Sequence, residues 1–529
     1  MTSVVLTGFM GSGKSTVGPI LAARLGRPFV DLDQLVEAEA GMPVSAIFAR
    51  EGEEGFRRRE SACLDRALSG QQQVLAVGGG APMREENWSR LRQGNVVVAL
   101  LASEQTLAGR MDGAGERPLL EAGVGAAIGR LLPARLPRYR EADLLVATDA
   151  RPPEAVAAAV ADRLPLDGLS RIPVRVAGHP HEITVGARLL HLAAPALERA
   201  GVRGTVAIAS DSRLASTHAP ALAEALESGG FRTALHALPA GEAAKTIEAL
   251  SDFYRFLASV GVDRLGAIVA LGGGTVGDAA GFAASTWLRG LPLLQLPTTL
   301  LAMVDASIGG KNGINLEAGK NLIGTVHQPC AVLVDVQYLT TVPERDYRAS
   351  WAEVVKSAII ADTELLADLE AGVEPALARD GAFLRRVIAS TCAIKARVVE
   401  ADPLETGVRA ILNYGHTVGH ALEAALGYGS VPHGEAVAWG MQAAADLSRR
   451  TGRCAPELAA RQERLLRAFG LLSDRPACDR ARLLEAMRHD KKAQEGEVRW
   501  VLLAGPGRAE YGCRVPQRDV EATLDAVFS

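Results

Sequence analysis

The sequence predicts an α/β protein in three parts. A parallel sheet covered by helices spans residues 1–165, a nucleotide-binding type of α/β domain spans 174–342, and an all-helical domain spans 343–529. Over the first stretch, short apolar runs (Val4–Thr7, Phe29–Leu32, Val74–Val77, Val96–Leu101 and Leu144–Ala147) alternate with helical patterns. That is the rhythm of parallel strands joined by crossover helices, and the Ala-rich Pro153–Leu164 reads as its closing helix. Pro and Gly then break the periodicity, so residues 166–173 read as a linker. The rhythm restarts with strand-like Thr205–Ala209, Ala267–Leu271, Leu293–Leu296 and Ala331–Val334. Beyond Pro343 long Ala/Leu/Glu/Arg patterns dominate, and only Val498–Leu503 reads as a late strand or hairpin.

A chain of 529 residues suits three or four units at roughly 150 residues each. With 48% apolar and 22% charged residues it has ample core material, and a net charge of −4 argues against nucleic-acid or membrane-surface partners. Val4–Leu6 is too short for the apolar core of a signal peptide, and no run approaches the ~18–20 apolar residues of a membrane helix. The six cysteines are scattered with no C-x-x-C spacing, which predicts neither a disulfide framework nor a thiolate metal site. A cytoplasmic protein acting on small molecules is expected.

The first chemical signal is Gly8-x4-Gly13-Lys14-Ser15, between a strand and the helical Val17–Leu25. In that context the glycines of Gly11-Ser12-Gly13 free backbone N–H groups to face phosphate oxygens, and the helix N-terminus adds its dipole. Lys14 then bridges the terminal phosphates, the Ser15 hydroxyl ligates Mg²⁺, and Thr16 continues the loop. The acceptor must be read from the rest. Asp31 and Asp33 end the second predicted strand, so alternation sends both carboxylates to one face, one for metal and one for a hydroxyl. Arg57 to Arg59, Gly78-Gly79-Gly80, Arg117 and Arg135 follow. Singly each arginine suits a solvated surface; together they suit a polyhydroxy carboxylate, because guanidinium forks match carboxylates.

This order of motifs resembles shikimate kinase over nearly all of residues 1–165, a P-loop NTPase of the nucleoside-monophosphate-kinase type. The resemblance implies ATP with Mg²⁺ on Gly11 to Thr16, with Ser15 and Asp31 in the metal shell and Asp33 as base on a shikimate hydroxyl. It also implies shikimate on Arg57, Gly79 and Arg135, Arg117 on a lid reaching the transferring phosphate, and Arg110 near the adenine. Arg138 stands where that family usually has leucine.

Further along, Gly272-Gly273-Gly274-x-x-Gly277-Asp278 follows a strand and opens a helix. With Gly241-Glu242-x-x-Lys245 before it and Pro297-Thr298-Thr299 after a strand, it reads as a dinucleotide site that lacks the usual G-x-G-x-x-G fingerprint. Asp305, Gly309-Gly310-Lys311 and Gly319-Lys320-Asn321 gather cationic and amide groups at glycine turns, which suits an anionic substrate. Glu353 precedes Lys356, and three of the ten histidines, His416, His420 and His433, crowd one stretch. Two histidines and a carboxylate with an open position form a catalytic Zn²⁺ arrangement, Co²⁺ suits the same donors, and spacing alone lets His416 and His420 both bind metal.

Residues from about 174 to 529 resemble 3-dehydroquinate synthase, with its main motifs in order. The resemblance implies Zn²⁺ on Glu353, His416 and His433, with His420 catalytic. NAD would lie on Glu242, Lys245, Gly274, Asp278, Thr298, Thr299, Lys311 and Lys320. The substrate, 3-deoxy-arabino-heptulosonate 7-phosphate, would meet Asp305, Arg289, Lys311, Lys320, Asn321, Lys356, Lys395, Arg409, Asn413, His420 and the Lys491-Lys492 pair. Oxidation, loss of phosphate, return of the hydride and ring closure would give 3-dehydroquinate without net use of NAD. The family is usually dimeric, so a homodimer through this part is implied. Ser357-Ala358 replaces a usual Tyr-Gly after Lys356, and Ser350 replaces a glycine.

The reading is thus a bifunctional kinase and synthase on one route. Two alternatives stand beside it: a synthase with a regulatory, non-catalytic kinase-like domain, and a metal-dependent polyol dehydrogenase in the C-terminal part. Lys14, Asp33 and Arg117 are all present, which disfavours the first. The set Asp305, Lys311, Lys320 and Asn321 favours a phosphate-leaving substrate over the second.

Overall fold

The computed structural model describes residues 3–70, 72–111, 123–164, 169–317, 319–427, 429–473, 475–488, 493–494 and 497–528. The chain forms two compact units. The smaller comprises Met1–Arg171 with Gly186–Arg203 and Ala221–Arg232, and the larger comprises Ile172–Val185, Gly204–Pro220 and Thr233–Ser529.

The smaller unit begins with β1 (Val4–Thr7), α1 (Lys14–Leu25), β2 (Phe29–Asp31), α2 (Leu32–Ala40), α3 (Val44–Leu68) and β3 (Val74–Ala76). It continues with α4 (Glu85–Arg92), β4 (Val96–Leu101), α5 (Glu104–Met111), α6 (Val124–Arg140), β5 (Leu144–Ala147) and α7 (Pro153–Arg163). The sheet order is β2-β3-β1-β4-β5, every pair parallel. Strands β1 and β4 are buried throughout except Leu101, which is why they read as unbroken apolar runs. One expectation is corrected. Asp31 ends its strand by accepting the backbone N–H of Asp33 (3.1 Å) as the N-cap of α2, so Asp33 sits in a helical first turn. Strand alternation does not relate the two carboxylates.

Next come β6 (Ser170–Val174), β7 (His181–Gly186), α8 (Ala193–Arg199), β8 (Thr205–Asp211), α9 (Ala219–Ser228), β9 (Arg232–Leu238) and α10 (Ile247–Ser259). They lead to β10 (Ala267–Gly272), α11 (Gly274–Thr286), β11 (Leu293–Pro297), β12 (Lys311–Leu316), β13 (Gly319–Val326) and β14 (Ala331–Asp335). Seven strands form one sheet in the order β6-β7-β14-β11-β10-β8-β9. Residues 170–173, expected as linker, belong to β6, an edge strand, where proline is tolerated. The antiparallel hairpin β12–β13 carries Lys311, Lys320 and Asn321, where only glycine turns were expected.

The last part holds α12 (Glu344–Ala361), α13 (Thr363–Ala371), α14 (Val373–Leu377), α15 (Gly381–Ala401), α16 (His416–Leu426), α17 (His433–Arg450), α18 (Pro456–Ala468) and α19 (Arg480–Arg488). It is not all-helical: β15 (Ala493–Gln494) pairs with β16 (Glu497–Val498), and β17 (Trp500–Gly505) pairs with β18 (Arg508–Cys513) before α20 (Gln517–Phe528). Both hairpins are antiparallel pairs of neighbouring segments, which need no long crossover. Helix α12 is buried on nearly every face from Ala349 to Ile360, and α17 from Ala436 to Met441. These helices pack backbone to backbone. A Cβ on Gly434 would collide with the carbonyl of Ala349, and one on Gly440 with the carbonyl of Gly415.

Gly440→Ala is therefore expected to cost ~2 kcal/mol of overpacking. Calorimetry should show a fall of several degrees in the melting point of the larger unit; an unchanged midpoint would mean that α16 and α17 separate without penalty.

Candidate active sites

In the smaller unit a cavity of about 920 Å³ is lined by Gly11 to Val17, Asp31, Asp33, Arg57, Gly78 to Gly80, Arg110 and Arg135. The loop after β1 enters α1 through Gly13, whose φ of 100° is left-handed, and the N-terminus of α1 lines the cavity. Lys14 Nζ donates to the carbonyls of Gly8 (2.9 Å) and Phe9 (3.1 Å). Ser15 Oγ donates to Asp31 Oδ2 at 2.9 Å, so the hydroxyl and carboxylate expected to share Mg²⁺ are adjacent. Burial, then the Asp31 charge, push the Asp33 carboxyl above its ordinary range, against the pull of Lys14 and Arg57. Arg110 donates to the Gly11 carbonyl (3.3 Å) and to Thr148 Oγ1 (2.9 Å) at the loop's outer edge.

The acceptor side is built around the triple glycine. A Cβ on Gly80 would occupy the Arg57 guanidinium, and one on Gly79 would come within 3.1 Å of Tyr139 Oη and 3.5 Å of Arg135 Nη1. Three contributors had been given no role from the sequence. Glu60 pairs with Arg57 at 2.7 Å, and burial pushes its carboxyl up to about 7 against that pairing. Tyr139 Oη donates to the Gly79 carbonyl at 2.6 Å, and Thr148 braces Arg110. Spacing held a signal for the first two: Glu60 follows Arg57 by three and Tyr139 follows Arg135 by four on helices. Arg138 pairs with Glu85 (2.6 Å) and Glu141 (2.8 Å) over the Trp88 ring, apart from the cavity lining. Arg117 lies outside the described residues.

In the larger unit β10 lies between β8 and β11, and the chain changes direction across the sheet there, the position at which open α/β sheets bind nucleotides. Gly273 N-caps α11, Thr298 N donates to the Gly272 carbonyl (2.9 Å), and a Cβ on Gly273 would lie 3.4 Å from the Thr299 methyl. Backbone can thus approach a ligand closely. Lys245 donates to Asp278 Oδ2 (2.6 Å) and to the Asn321 side chain, which β13 presents with a left-handed φ of 52°. Burial pushes Asp278 up despite Lys245. Asn315 links the same hairpin to Glu242 at 2.7 Å.

Glu353, His416 and His433, from α12, α16 and α17, bring one donor atom each within 4.8 Å of one another; His420, Glu423 and His433 do the same. His416 Nδ1 donates to the Tyr414 carbonyl (3.2 Å), and its Nε2 lies 3.6 Å from Glu353 Oε1. That oxygen is buried without a hydrogen-bond partner while the other pairs with Lys356, so the donor set fits a divalent cation. Glu423, missed in the sequence, bonds His433 Nδ1 at 3.0 Å. Its H-x3-H-x2-E spacing on α16 was the available signal. Ser350 and Ser357, the departures on α12, bond back to the carbonyls of Asp346 (2.7 Å) and Glu353 (2.9 Å) without leaving the helix.

Asp305 lies in a π-helical turn, a frequent mark of functional sites, and Lys395 donates to its carbonyl (2.6 Å) and its carboxylate. Burial pushes Asp305 up, but Lys395 and Lys356 outweigh it and hold the carboxyl well below its usual range. Burial lowers Lys395. Lys311 pairs with Glu405, whose other oxygen accepts from Asn413 at 2.9 Å, and Lys320 lies 3.5 Å from Glu423. Arg409 is buried and donates to the carbonyls of Gly309 (3.2 Å) and Pro403 (2.8 Å). Arg289 is exposed, just past the C-terminal end of α11, with a left-handed φ of 71°. Lys491 and Lys492 lie outside the described residues.

A shikimate kinase model matches residues 10–165, and models of the N-terminal and C-terminal parts of 3-dehydroquinate synthase match 235–349 and 350–493. The 3-dehydroquinate synthase of Symbiobacterium thermophilum is 49% identical over 303 residues, which are 57% of this chain and 84% of that protein. Among solved structures, 2-epi-5-epi-valiolone synthase from Streptomyces hygroscopicus, with NAD⁺ and Zn²⁺ bound, is 29% identical with a TM-score of 0.60 over 66% of this chain and 96% of its own. A 2-deoxy-scyllo-inosose synthase complexed with carbaglucose-6-phosphate, NAD⁺ and Co²⁺ is 26% identical with a TM-score of 0.61 over 68% of this chain and 99% of its own. Residues 235–493 place the chain in the 3-dehydroquinate synthase family, and residues 10–165 give it a shikimate kinase domain ahead of them.

Proposed function

We propose that the chain is a bifunctional enzyme. Its smaller unit transfers the terminal phosphoryl group of ATP to shikimate, and its larger unit converts 3-deoxy-arabino-heptulosonate 7-phosphate to 3-dehydroquinate with release of phosphate. The observation that carries the reading is the presence of both donor sets intact: a loop with Lys14 and Ser15 beside Asp31 and Asp33, and the Glu353, His416 and His433 trio.

In the kinase, Lys14 exchanges its carbonyl partners for phosphate oxygens, and Ser15 Oγ with Asp31 would hold Mg²⁺. Arg57 and Arg135 hold the shikimate carboxylate, Gly79 its hydroxyl edge, and Asp33 takes the hydroxyl proton. Arg117 would reach the transferring phosphate and Arg110 would border the adenine.

In the synthase, Glu353, His416 and His433 would hold Zn²⁺ or Co²⁺, while Glu242, Lys245, Gly274, Asp278, Thr298, Thr299, Lys311 and Lys320 would hold NAD. When bound, the metal supplies Lewis acidity at adjacent hydroxyls and NAD⁺ accepts and returns a hydride. Asp305 and Lys395 orient the hydroxyl end, and His420 acts at the phosphate end. Lys356, Asn321, Arg409, Asn413, Arg289 and the Lys491-Lys492 pair counter the carboxylate and phosphate charges. A homodimer through the synthase unit belongs to the same reading, supported by exposed Leu316, Leu322 and Val326 on one hairpin. So does a cytoplasmic location; among the described residues no helix is long and apolar enough to cross a membrane.

Incubating the full chain with heptulosonate phosphate and NAD⁺ should release phosphate with no net NADH; steady NADH accumulation would establish a polyol dehydrogenase instead. Lys14→Ala should lower shikimate-dependent ADP formation by roughly 10²-fold or more while phosphate release persists. Absence of kinase activity in the intact chain would leave its first unit a regulatory module. Chelation followed by Mg²⁺ alone should restore only the kinase, and Zn²⁺ or Co²⁺ should restore the synthase. Because Asp33 must be ionised to take a proton and is raised above the ordinary 3.8, the acid limb of kinase kcat/KM should fall at a higher pH than an unperturbed aspartate gives. A limb at or below 3.8 would exclude Asp33 as the base.

A further inference from the structure

Glu423 occupies a position that neither the ligand set nor the substrate pocket accounts for. It follows His416 by seven residues and His420 by three on α16, so all three share one helical face. Its side chain is only 8% exposed, and its two oxygens are divided between two partners. Oε2 bonds His433 Nδ1 at 3.0 Å, and Oε1 lies 3.5 Å from Lys320 Nζ on the hairpin β12–β13. With Nδ1 committed to a carboxylate, the proton of neutral His433 is fixed there, and Nε2 is the nitrogen left to donate to a cation.

The second trio, His420, Glu423 and His433, meets the same proximity measure as the first. Their environments differ. Glu353 keeps one buried oxygen without a hydrogen-bond partner, as a ligand awaiting a cation would. Glu423 already has a histidine on one oxygen and an ammonium group near the other, and that positive charge disfavours a second cation beside it.

We propose that Glu423 is a positioning residue of the metal centre: it sets the tautomer and ring orientation of His433 and is itself anchored by Lys320. The proposal rests on the metal reading of Glu353, His416 and His433. It predicts that metal affinity depends on an acceptor at position 423 rather than on a ligand there.

Zn²⁺ binding to the full chain, measured by competition with a chromophoric chelator, tests it in the wild type, Glu423→Gln and Glu423→Ala. Absorption spectra of the Co²⁺-loaded proteins and melting curves of the metal-free ones run in parallel. Glu423→Ala should weaken Zn²⁺ by about 10–100-fold and shift the Co²⁺ spectrum, while the metal-free melting point stays near that of the wild type. Glu423→Gln keeps an amide oxygen for the Nδ1–H and should recover most of the affinity, and it supplies the test if the alanine variant does not fold. Unchanged affinity in Glu423→Ala, or Glu423→Gln no stronger than Glu423→Ala, would overturn the proposal while leaving the metal centre standing. Two ions per wild-type chain, one lost in Glu423→Ala, would overturn it by making Glu423 a ligand. A wild-type chain that binds no Zn²⁺ would remove the metal reading and the proposal together.

Discussion

Space without a side chain is the constraint on which both sites depend. A buried charged group needs its partners at hydrogen-bond distance, because desolvation left uncompensated is costly. Here that closeness is obtained repeatedly by a glycine opposite the charge. Gly80 leaves room for the Arg57 guanidinium, Gly78 for the carboxylates of Asp33 and Glu60, and Gly309 for Arg409. The same device works on backbones. Gly434 and Gly440 let α17 touch α12 and α16, and that contact draws Glu353, His416 and His433 to within 4.8 Å.

The two sites use charge differently. In the kinase unit the phosphate loop and Arg57, Arg110 and Arg135 line one roomy cavity. In the synthase unit the ions already pair with one another: Lys395 with Asp305, Lys356 with Glu353, Lys245 with Asp278, Lys311 with Glu405. A ligand entering that web exchanges partners instead of creating charge contacts from nothing, because the pairs already offset part of the desolvation of their charges. Glu423 joins that web through His433 on α17 and Lys320 on the β12–β13 hairpin.

Legibility followed burial and sequence distance. Strands β1, β4, β10 and β11 are covered on both faces, so their apolar runs stood out. Strand β9 escaped notice because its burial is mixed, and β6 because it lies at a sheet edge and contains Pro173. The hairpin β12–β13 was hidden by its glycines and lysines, residues that read as loop. Asp33 lines the cavity by a local geometry other than the expected one, because the capping role of Asp31 turns strand into helix one residue earlier than the apolar pattern suggests.

What the sequence by itself determined is the chemistry: a phosphate loop and its carboxylates in one part, a glycine-rich dinucleotide turn and a histidine cluster in the other. Those signals are local, since each needs particular residue types at short spacing, and they remain visible in one dimension. Only the tertiary structure decided which groups support them. Glu60 behind Arg57, Tyr139 under Gly79 and Glu423 behind His433 matter through contacts formed when helices pack.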